Sequence, residues 1–189
     1  MKKTLITLFF ALLPFISQAQ DTDLYKQRYN MLVNRFGADA VGVETLLRQW
    51  EKADSADIDV QIAKYNYFLE KSSRDTVVAI NAKKYLGNAP VLSLKDSAGR
   101  NVNYFRTTLY DAEIFEKALS SLDKAVSMDD SRLDIRFEKV SALVQYEKDT
   151  PELSLRSLLS LIDENFSGKK VWTLPGIAME DGYFEDNIQ

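Results

Sequence analysis

The sequence predicts a mainly α-helical fold of helical hairpin repeats, an α-solenoid, with a small inserted β-hairpin. The main observation is an internal similarity: residues 43–70 and 118–145 carry the same pattern, displaced by 75 positions. Each copy has the spacing of an amphipathic helix, a short polar break and a second amphipathic helix. Stacked helix pairs of this kind usually bind another molecule in the groove that they form. Eight pairs of apolar or acidic positions define the similarity: Val43, Leu47, Trp50, Asp59, Val60, Ile62, Tyr65 and Leu69 align with Ala118, Leu122, Ala125, Asp134, Ile135, Phe137, Val140 and Val144.

Residues 1–19 have the composition of a secretory signal peptide. A basic start precedes an apolar run from Leu5 to Ile16, and the small residues Ser17 and Ala19 follow it. The run is shorter than the roughly 20 residues that a membrane-spanning helix needs, so we expect cleavage after Ala19. The sequence has no cysteine, which excludes a lipid-modified N-terminal Cys. We therefore expect a periplasmic or secreted protein that is not a lipoprotein and does not span a membrane.

Composition argues against several classes of function. Acidic residues outnumber basic ones, 28 to 24, without a basic cluster, so nucleic acid and anionic membrane surfaces are poor partners. His and Cys are both absent, which excludes Ser–His triads, thiol nucleophiles and the usual zinc sites. We expect a protein that is not an enzyme and needs no metal or other cofactor.

Residues 20–72 are predicted to form an N-terminal helical repeat unit of three helices. The first covers about 21–36 and ends at Gly37, where a left-handed helix terminator is expected. Asp39 is the expected cap of the second helix, which ends in a polar break. The third runs from about 58 to 71, and its inward-facing stripe has four members: Ile62, Tyr65, Phe68 and Leu69.

Residues 73–110 are predicted to form a β-hairpin insertion between the helical units. A short β-branched run, 76–80, comes first, and two alternating segments, 91–95 and 101–105, flank turn-forming residues. In this pairing four side chains share one face of the hairpin: Leu92, Leu94, Val102 and Tyr104. Because an isolated hairpin is only marginally stable in water, we expect this one to lie against the helices.

Residues 111–168 are predicted to form the second helical repeat unit. Asp111 is the expected cap of its first helix, and the next helix covers 133–147. A third helix begins at Thr150-Pro151, since proline is favoured in the first turn.

Residues 169–189 form a tail or an incomplete further helix. An extended connection is expected first, and residues 179–184 have the composition of a helix start. A repeat array normally ends in a capping helix with a polar outer face, and no segment of the tail has that pattern. We interpret the chain as a C-terminally truncated member of a longer architecture.

The segment Ala118-x3-Leu122-x2-Ala125-x4-Asp130 resembles the second helix of a tetratricopeptide repeat. The next helix resembles the first helix of the following repeat at four positions: Phe137, Val140, Ser141 and Val144. In that family the small residues allow close helix contact and the large ones fill the gaps. Asp130 stands where the family usually has proline, and Trp50 replaces the second small residue in the earlier copy. The resemblance implies a tetratricopeptide-like fold.

A second resemblance concerns the order of elements. The order of elements is similar to that in a group of exported bacterial tetratricopeptide-like proteins. It consists of a signal peptide, helices, a β-hairpin with its turn at 94–99, and the segment 132–137 before a helix. This resemblance implies a fold and a location in the cell envelope. It implies no activity.

Four side chains are the candidate partner-binding residues. Tyr67 falls off the inward stripe of its helix, so we expect it to be exposed in a groove with Lys64 and Asn66. Trp172 is either a second aromatic contact or a residue that pins the tail to the last helix. The favoured function is a scaffold for a protein or peptide partner in the cell envelope. The alternative is a glycan-binding accessory protein that uses exposed aromatic side chains.

Overall fold

The structure is a computed structural model that describes residues 22–168, 170–175 and 177–178. The predicted signal peptide at 1–19 and the predicted helix start at 179–184 lie outside the described residues. The elements, in chain order, are α1 (22–36), α2 (Val43–Ala53), α3 (Ile58–Ser72), β1 (Ser73–Ile80), β2 (Leu92–Lys95), β3 (Asn101–Tyr110), α4 (Ala112–Met128), α5 (Leu133–Glu147), α6 (Leu153–Phe166), β4 (Thr173–Leu174) and β5 (Ile177–Ala178). The fold is mainly α-helical, as predicted. In the part of the chain that these elements cover, no helix combines the length and the apolar character needed to cross a membrane.

Two glycines shape the connection between α1 and α2. Gly37 has a φ of 96° and its N–H donates to the carbonyl of Val33, so the predicted helix terminator is confirmed. The predicted cap at Asp39 is wrong, because α2 begins only after Gly42, whose φ of 95° lies in the left-handed region. The turn therefore uses residues that the sequence pattern assigned to the helix.

The two segments that share an internal similarity also share a backbone frame. α2 and α4 end 75 residues apart, at Ala53 and Met128, and α3 and α5 begin 75 residues apart, at Ile58 and Leu133. Asp54 and Asp129 follow the first helices with nearly the same φ, −144° and −146°. Each uses its carboxylate to accept a hydrogen bond from the backbone N–H two residues later, that of Ala56 or Ser131. The similarity thus includes the geometry of the turn.

The packing of α3 against α4 forms the centre of the molecule. One buried cluster joins α3, α4 and α5, and its fully or nearly fully buried members are Tyr65, Phe115, Ala118, Leu122, Ala125, Ile135, Ala142 and Leu143. Ala118 and Ala125 have no exposed surface. Small side chains at these positions let the helices approach closely, and the larger neighbours fill the space at the density of a protein interior.

A three-stranded antiparallel sheet continues this helix pair. α3 runs directly into β1, and β3 reaches α4 through Asp111 alone. β1 pairs with β3 from Ser73 opposite Tyr110 to Ile80 opposite Asn103. The N–H of Asp111 donates to the carbonyl of Ser72 at 2.8 Å. This hydrogen bond lies where the helix pair α3–α4 meets the strand pair β1–β3. The antiparallel contact of α3 and α4 is therefore extended by the contact of β1 and β3.

The predicted hairpin is present, but its surroundings differ from the expectation. β2 pairs with β3 so that Leu92 lies opposite Tyr104 and Leu94 opposite Val102, and the prediction that these four side chains share one face is confirmed. The β-branched run forms β1, a third strand that the sequence analysis did not assign. The expectation that the hairpin lies against the helices is wrong for this face, because Leu92 and Leu94 are 50% and 49% exposed.

The sheet meets the helices at its base. The hydroxyl of Tyr110 donates to Gln145 Oε1 at 3.2 Å, and the Lys148 ammonium donates to the carbonyl of Thr108. Both contacts come from the C-terminal end of α5. β1 and β3 leave the ends of α3 and α4 without a loop, so the chain has no residues with which to fold the sheet back over the helices.

We predict that Ala118→Leu destabilises the protein by about 1–3 kcal/mol, because extra methylene groups at a fully buried position force the helices apart. Urea denaturation followed by circular dichroism measures this change. The matched control is Ser120→Leu, which places the same side chain at an exposed position of the same helix. Equal losses of stability in the two variants would show that the helices do not pack closely at Ala118.

Candidate functional site

The structure places Tyr67 in the core. Its side chain is only 4% exposed, and its hydroxyl donates to Glu44 Oε2 at 2.6 Å and accepts from Lys71 Nζ. The expected exposure of Tyr67 is therefore wrong. The physical reason is that α3 is buried on two sides: Val60, Ala63 and Tyr67 pack towards α1 and α2, while the predicted stripe packs towards α4.

Trp172 is also buried, at 5% exposure. It packs against Leu133 of α5 and Leu161 of α6, and its indole N–H donates to Asn165 Oδ1 at 2.9 Å. Of the two predicted roles, pinning the tail to the last helix is confirmed. Trp172 presents no open aromatic face to a partner.

Lys64 and Asn66 lie on different sides of α3. The Lys64 ammonium contacts Glu51 of α2 at 3.0 Å. Asn66 is exposed and lines a groove of about 190 Å³ beside Tyr29 and Asn30 of α1. The structure therefore does not bring the four predicted residues together in one groove. A role of Lys64 and Asn66 in partner binding stays a prediction.

Glu51 lies at the centre of a charged cluster that connects three helices. Its carboxylate accepts hydrogen bonds from Gln61 Nε2 at 3.0 Å, Lys64 Nζ at 3.0 Å and Lys124 Nζ at 2.7 Å. Burial alone would raise the pKa of Glu51, but the hydrogen bonds from Lys124, Gln61 and Lys64 outweigh it and lower the pKa to about 2. The carboxylate thus stays charged and joins α2, α3 and α4.

A second polar surface is a groove of about 320 Å³ between α4, α5 and α6. Its lining includes three cationic side chains, Arg136, Lys139 and Arg156, and one acidic side chain, Asp123. Lys139 pairs with Asp123, and Arg136 Nη1 pairs with Glu164 Oε1 at 2.9 Å. The Arg156 guanidinium has no ion pair within residues 22–168 and the described tail. The groove therefore has an excess of positive charge.

The sequence analysis missed this groove, although the internal similarity contains a signal for it. Arg136 and Lys139 stand 75 positions after Gln61 and Lys64, the residues that hold Glu51. The contribution of Arg156 from α6 depends on how α6 packs against α5. Neither spacing nor composition determines that packing.

The three-stranded sheet has one covered face and one open face. On the covered face, Phe105 is 1% exposed because the loop between β1 and β2 folds over it. Tyr85 of that loop lies with its ring centroid 5.8 Å from Phe105. The open face carries six apolar side chains, Val77, Ala79, Leu92, Leu94, Val102 and Tyr104, together with Arg106, which lies opposite Val77. Val77 is 53% exposed, so the open apolar sheet face is accessible to a partner.

No protein-family model, curated protein or solved structure matches this chain. Among the residues that the structure describes, no three His, Cys, Asp or Glu side chains form a group that could hold a metal ion. Two candidate binding surfaces among the described residues are the α4–α6 groove and the open apolar sheet face, besides the Glu51 cluster that joins three helices.

We predict that Glu51→Gln lowers the free energy of unfolding by about 2 kcal/mol at pH 7, allowing for the partial exposure of the cluster. The folded-state pKa of about 2 lies below the ordinary value of 4.5. The stabilisation is therefore present above pH 4.5 and is lost as the pH falls towards 2. The difference in free energy of unfolding between the wild type and Glu51→Gln should therefore shrink as the pH falls from 5 to 3.

Urea denaturation at a series of pH values tests this prediction. Glu116→Gln, at an exposed acid of α4, is the control and should change stability little. A Glu51→Gln effect that does not vary with pH would show that the ionised carboxylate does not stabilise the contact between the three helices.

Proposed function

We propose that this protein is a non-enzymatic scaffold that binds a protein partner in the cell envelope. The observation that carries the proposal is the open apolar sheet face. Its six apolar side chains form a patch across all three strands, bordered by Arg106, and the aliphatic residues Val77, Leu92 and Leu94 are about half exposed. Contiguous apolar patches on a protein surface are characteristic of contacts with other proteins.

Burial of this patch supplies a driving force for association. Removing apolar surface from water contributes about 25 cal/mol per Å², so covering the exposed halves of Val77, Leu92 and Leu94 contributes on the order of 1 kcal/mol each. A hydrated sugar surface gains little from flat aliphatic groups, whereas a protein surface with its own apolar side chains gains directly. The patch therefore favours a protein partner.

The helical part fits a scaffold of tetratricopeptide-like character. In the two helix–turn–helix frames the first helices end, and the second helices begin and end, at positions 75 residues apart, and both frames use the same turn with an Asp carboxylate as acceptor. Helix pairs that stack in this way offer grooves on the surface of a rigid array. We propose that units 20–72 and 111–168 are such repeats, with the sheet inserted where α3 passes to α4.

Export and the absence of catalysis are part of the proposal. The signal-peptide pattern at 1–19 supports a periplasmic or secreted location. The absence of His and Cys from the whole sequence supports binding rather than catalysis, because the side chains that most often act as general bases or activated nucleophiles are missing.

The alternative function is glycan binding through exposed aromatic residues, and the two aromatic residues that were predicted to contact a partner of either kind are Tyr67 and Trp172. Tyr67 and Trp172 are both buried, so neither can stack against a sugar ring. Their burial removes a contact from both functions, so the preference for protein binding rests on the open apolar sheet face alone.

We predict that the double change Leu92→Ser, Leu94→Ser abolishes capture of the partner, because it removes the apolar side chains of the open sheet face. Lys95→Ser is the matched control, since Lys95 is the neighbouring exposed residue on the opposite face of the same strand. The measurement is cross-linking capture from envelope extract with quantitative mass spectrometry. Thermal denaturation confirms that all variants are folded.

The expected result is one dominant protein that the wild type and Lys95→Ser capture and that the double variant does not. Equal capture of that protein by the wild type, Lys95→Ser and the double variant would overturn the role of the sheet face. Analytical ultracentrifugation supplies a second check. A dimer of this chain that the double variant dissociates would show that a second copy covers the face, which contradicts the proposed partner.

A further inference from the structure

The outer side of α6 is a further exposed surface of the molecule. Four apolar residues of this helix follow one another at intervals of four, three and four: Leu155, Leu159, Ile162 and Phe166. Residues at these intervals lie in a row along one side of a helix. Leu155, Leu159 and Phe166 are each more than half exposed, and Ile162 is partly exposed. We call this row the α6 stripe.

The α6 stripe is separate from the side of α6 that packs against the rest of the molecule. Ser154 and Leu161 are the buried residues of the helix, and Leu161 packs with Leu133 and Trp172. At 3.6 residues per turn, both buried residues point about a third of a turn away from the stripe. α6 therefore has two apolar sides.

An apolar outer side is unexpected on the last helix of an array. α3 also has two apolar sides, but α1 and α2 cover one of them and α4 covers the other. A repeat array that ends in water has a polar outer face on its last helix. The exposure of the α6 stripe shows that none of the described residues covers it. A row of exposed leucine and phenylalanine side chains marks a contact with another molecule.

The spacing of the α6 stripe matches the contact row of a two-helix coiled coil. Intervals of four and three residues place its members at the core positions a and d of two successive heptads. Arg156 and Asp163 then both fall at position e, which lies on one flank of the stripe. Charged residues on the flanks of such a row determine which helix binds and in which orientation.

Arg156 and Asp163 have no ion pair of their own. Both side chains are exposed, and neither takes part in a salt bridge with any described residue. Seven residues separate them, or roughly 10 Å along the helix, so they do not pair with each other. α6 thus carries one unpaired cation and one unpaired anion on the same flank of an exposed apolar stripe.

We propose that the α6 stripe is the interface of a homodimer, in which α6 packs antiparallel against α6 of a second copy of this chain. A two-fold axis midway between Leu159 and Ile162 places each of these residues against the other one in the second copy. The same axis places Leu155 against Phe166 of the second copy. Each contact occurs twice, as in every interface of this symmetry, so all four members of the stripe are covered.

The two charges favour a second copy and an antiparallel orientation. A two-fold rotation brings the same flank of both helices together, so Arg156 lies about two residues, or roughly 3 Å along the helix, from the level of Asp163 of the second copy. In a parallel pair this flank meets the opposite flank, where Leu158 and Asn165 stand, and the charges gain no partner. The antiparallel copy therefore supplies both missing charges at the required spacing.

The dimer goes beyond the proposed function and would double the number of its binding surfaces. The α6 stripe and the open apolar sheet face share no residue, so each dimer presents two sheet faces. A partner with two matching surfaces would then bind the dimer more tightly than the monomer. Neither proposal depends on the other, and loss of the dimer leaves the proposed function intact.

Sedimentation velocity of the chain without the predicted signal peptide at 1–19 tests the dimer. The wild type should pass from monomer to dimer as its concentration rises. Arg156→Glu and Asp163→Arg each replace two attractive contacts by two repulsive ones, so each variant should dimerise about tenfold more weakly. An equimolar mixture of the two variants should dimerise about as well as the wild type, because every flank contact between them again joins opposite charges.

A second pair of variants tests the apolar contact. Leu159→Ser should abolish the dimer, because it removes a side chain from the middle of the α6 stripe. Leu153→Ser is the matched control, since Leu153 is an exposed leucine of the same helix that lies on the side away from the stripe. Leu153→Ser should dimerise like the wild type. Circular dichroism confirms that both variants are folded.

Three sedimentation results would overturn the inference. One is a wild type that stays monomeric up to about 1 mM, where even a dimer of millimolar affinity is populated. Another is a mixture of Arg156→Glu and Asp163→Arg that dimerises no better than either variant alone. The third is a dimer that Leu92→Ser, Leu94→Ser dissociates, because the second copy would then cover the sheet face instead of the α6 stripe.

Alkylation separates a second copy from a cover within the same chain. The sequence has no cysteine, so Leu159→Cys introduces a single thiol at the middle of the α6 stripe. This thiol should react with a maleimide as fast as an exposed cysteine at low protein concentration, and more slowly at concentrations at which the dimer forms. Slow alkylation of the monomer would show that residues of the same chain beyond the described tail cover the stripe, which contradicts the dimer.

Discussion

The close packing of α3 against α4 is the contact on which the other features of this structure depend. It aligns the ends of the two helices so that β1 and β3 continue them, with Asp111 joined to the carbonyl of Ser72. It also brings Lys124 of α4 within 2.7 Å of Glu51. Because the sheet extends from the ends of the helix pair, one of its faces stays open. The proposed partner surface is thus a consequence of how two helices pack.

The same packing explains why α3 has two buried sides. One side faces α1 and α2 and contains Val60, Ala63 and Tyr67, and the other faces α4 and contains Tyr65. A helix inside an array is covered by neighbours on both sides, so a single apolar stripe describes only half of its contacts. In the first frame the Glu51 carboxylate holds three helices together, whereas in the second frame Val126 stands at the equivalent position and Lys139 pairs with Asp123 instead.

Local patterns predicted the local features well. The spacing of apolar residues predicted α3 to within a residue, and strict alternation predicted that Leu92 and Leu94 share a face with Val102 and Tyr104. Features that depend on distant segments were missed or misplaced. β1 becomes a strand because β3 lies beside it, and Tyr67 is buried because α2 covers it. The α4–α6 groove combines side chains from three helices, and no local pattern contains that combination. For Trp172 two roles were predicted, contact with a partner and attachment of the tail to the last helix, and the structure shows the second.

Native-state amide hydrogen exchange tests most directly whether the sheet and the α3–α4 pair are one rigid unit. The decisive amide is that of Asp111, which donates across the junction to Ser72. If helix and strand pairs form one cooperative unit, this amide should open with the same free energy as the amides of Leu122 in the middle of α4. Exchange of the Asp111 amide at its unprotected rate, while Leu122 stays protected, would show that the sheet moves independently and that its open face has no fixed position.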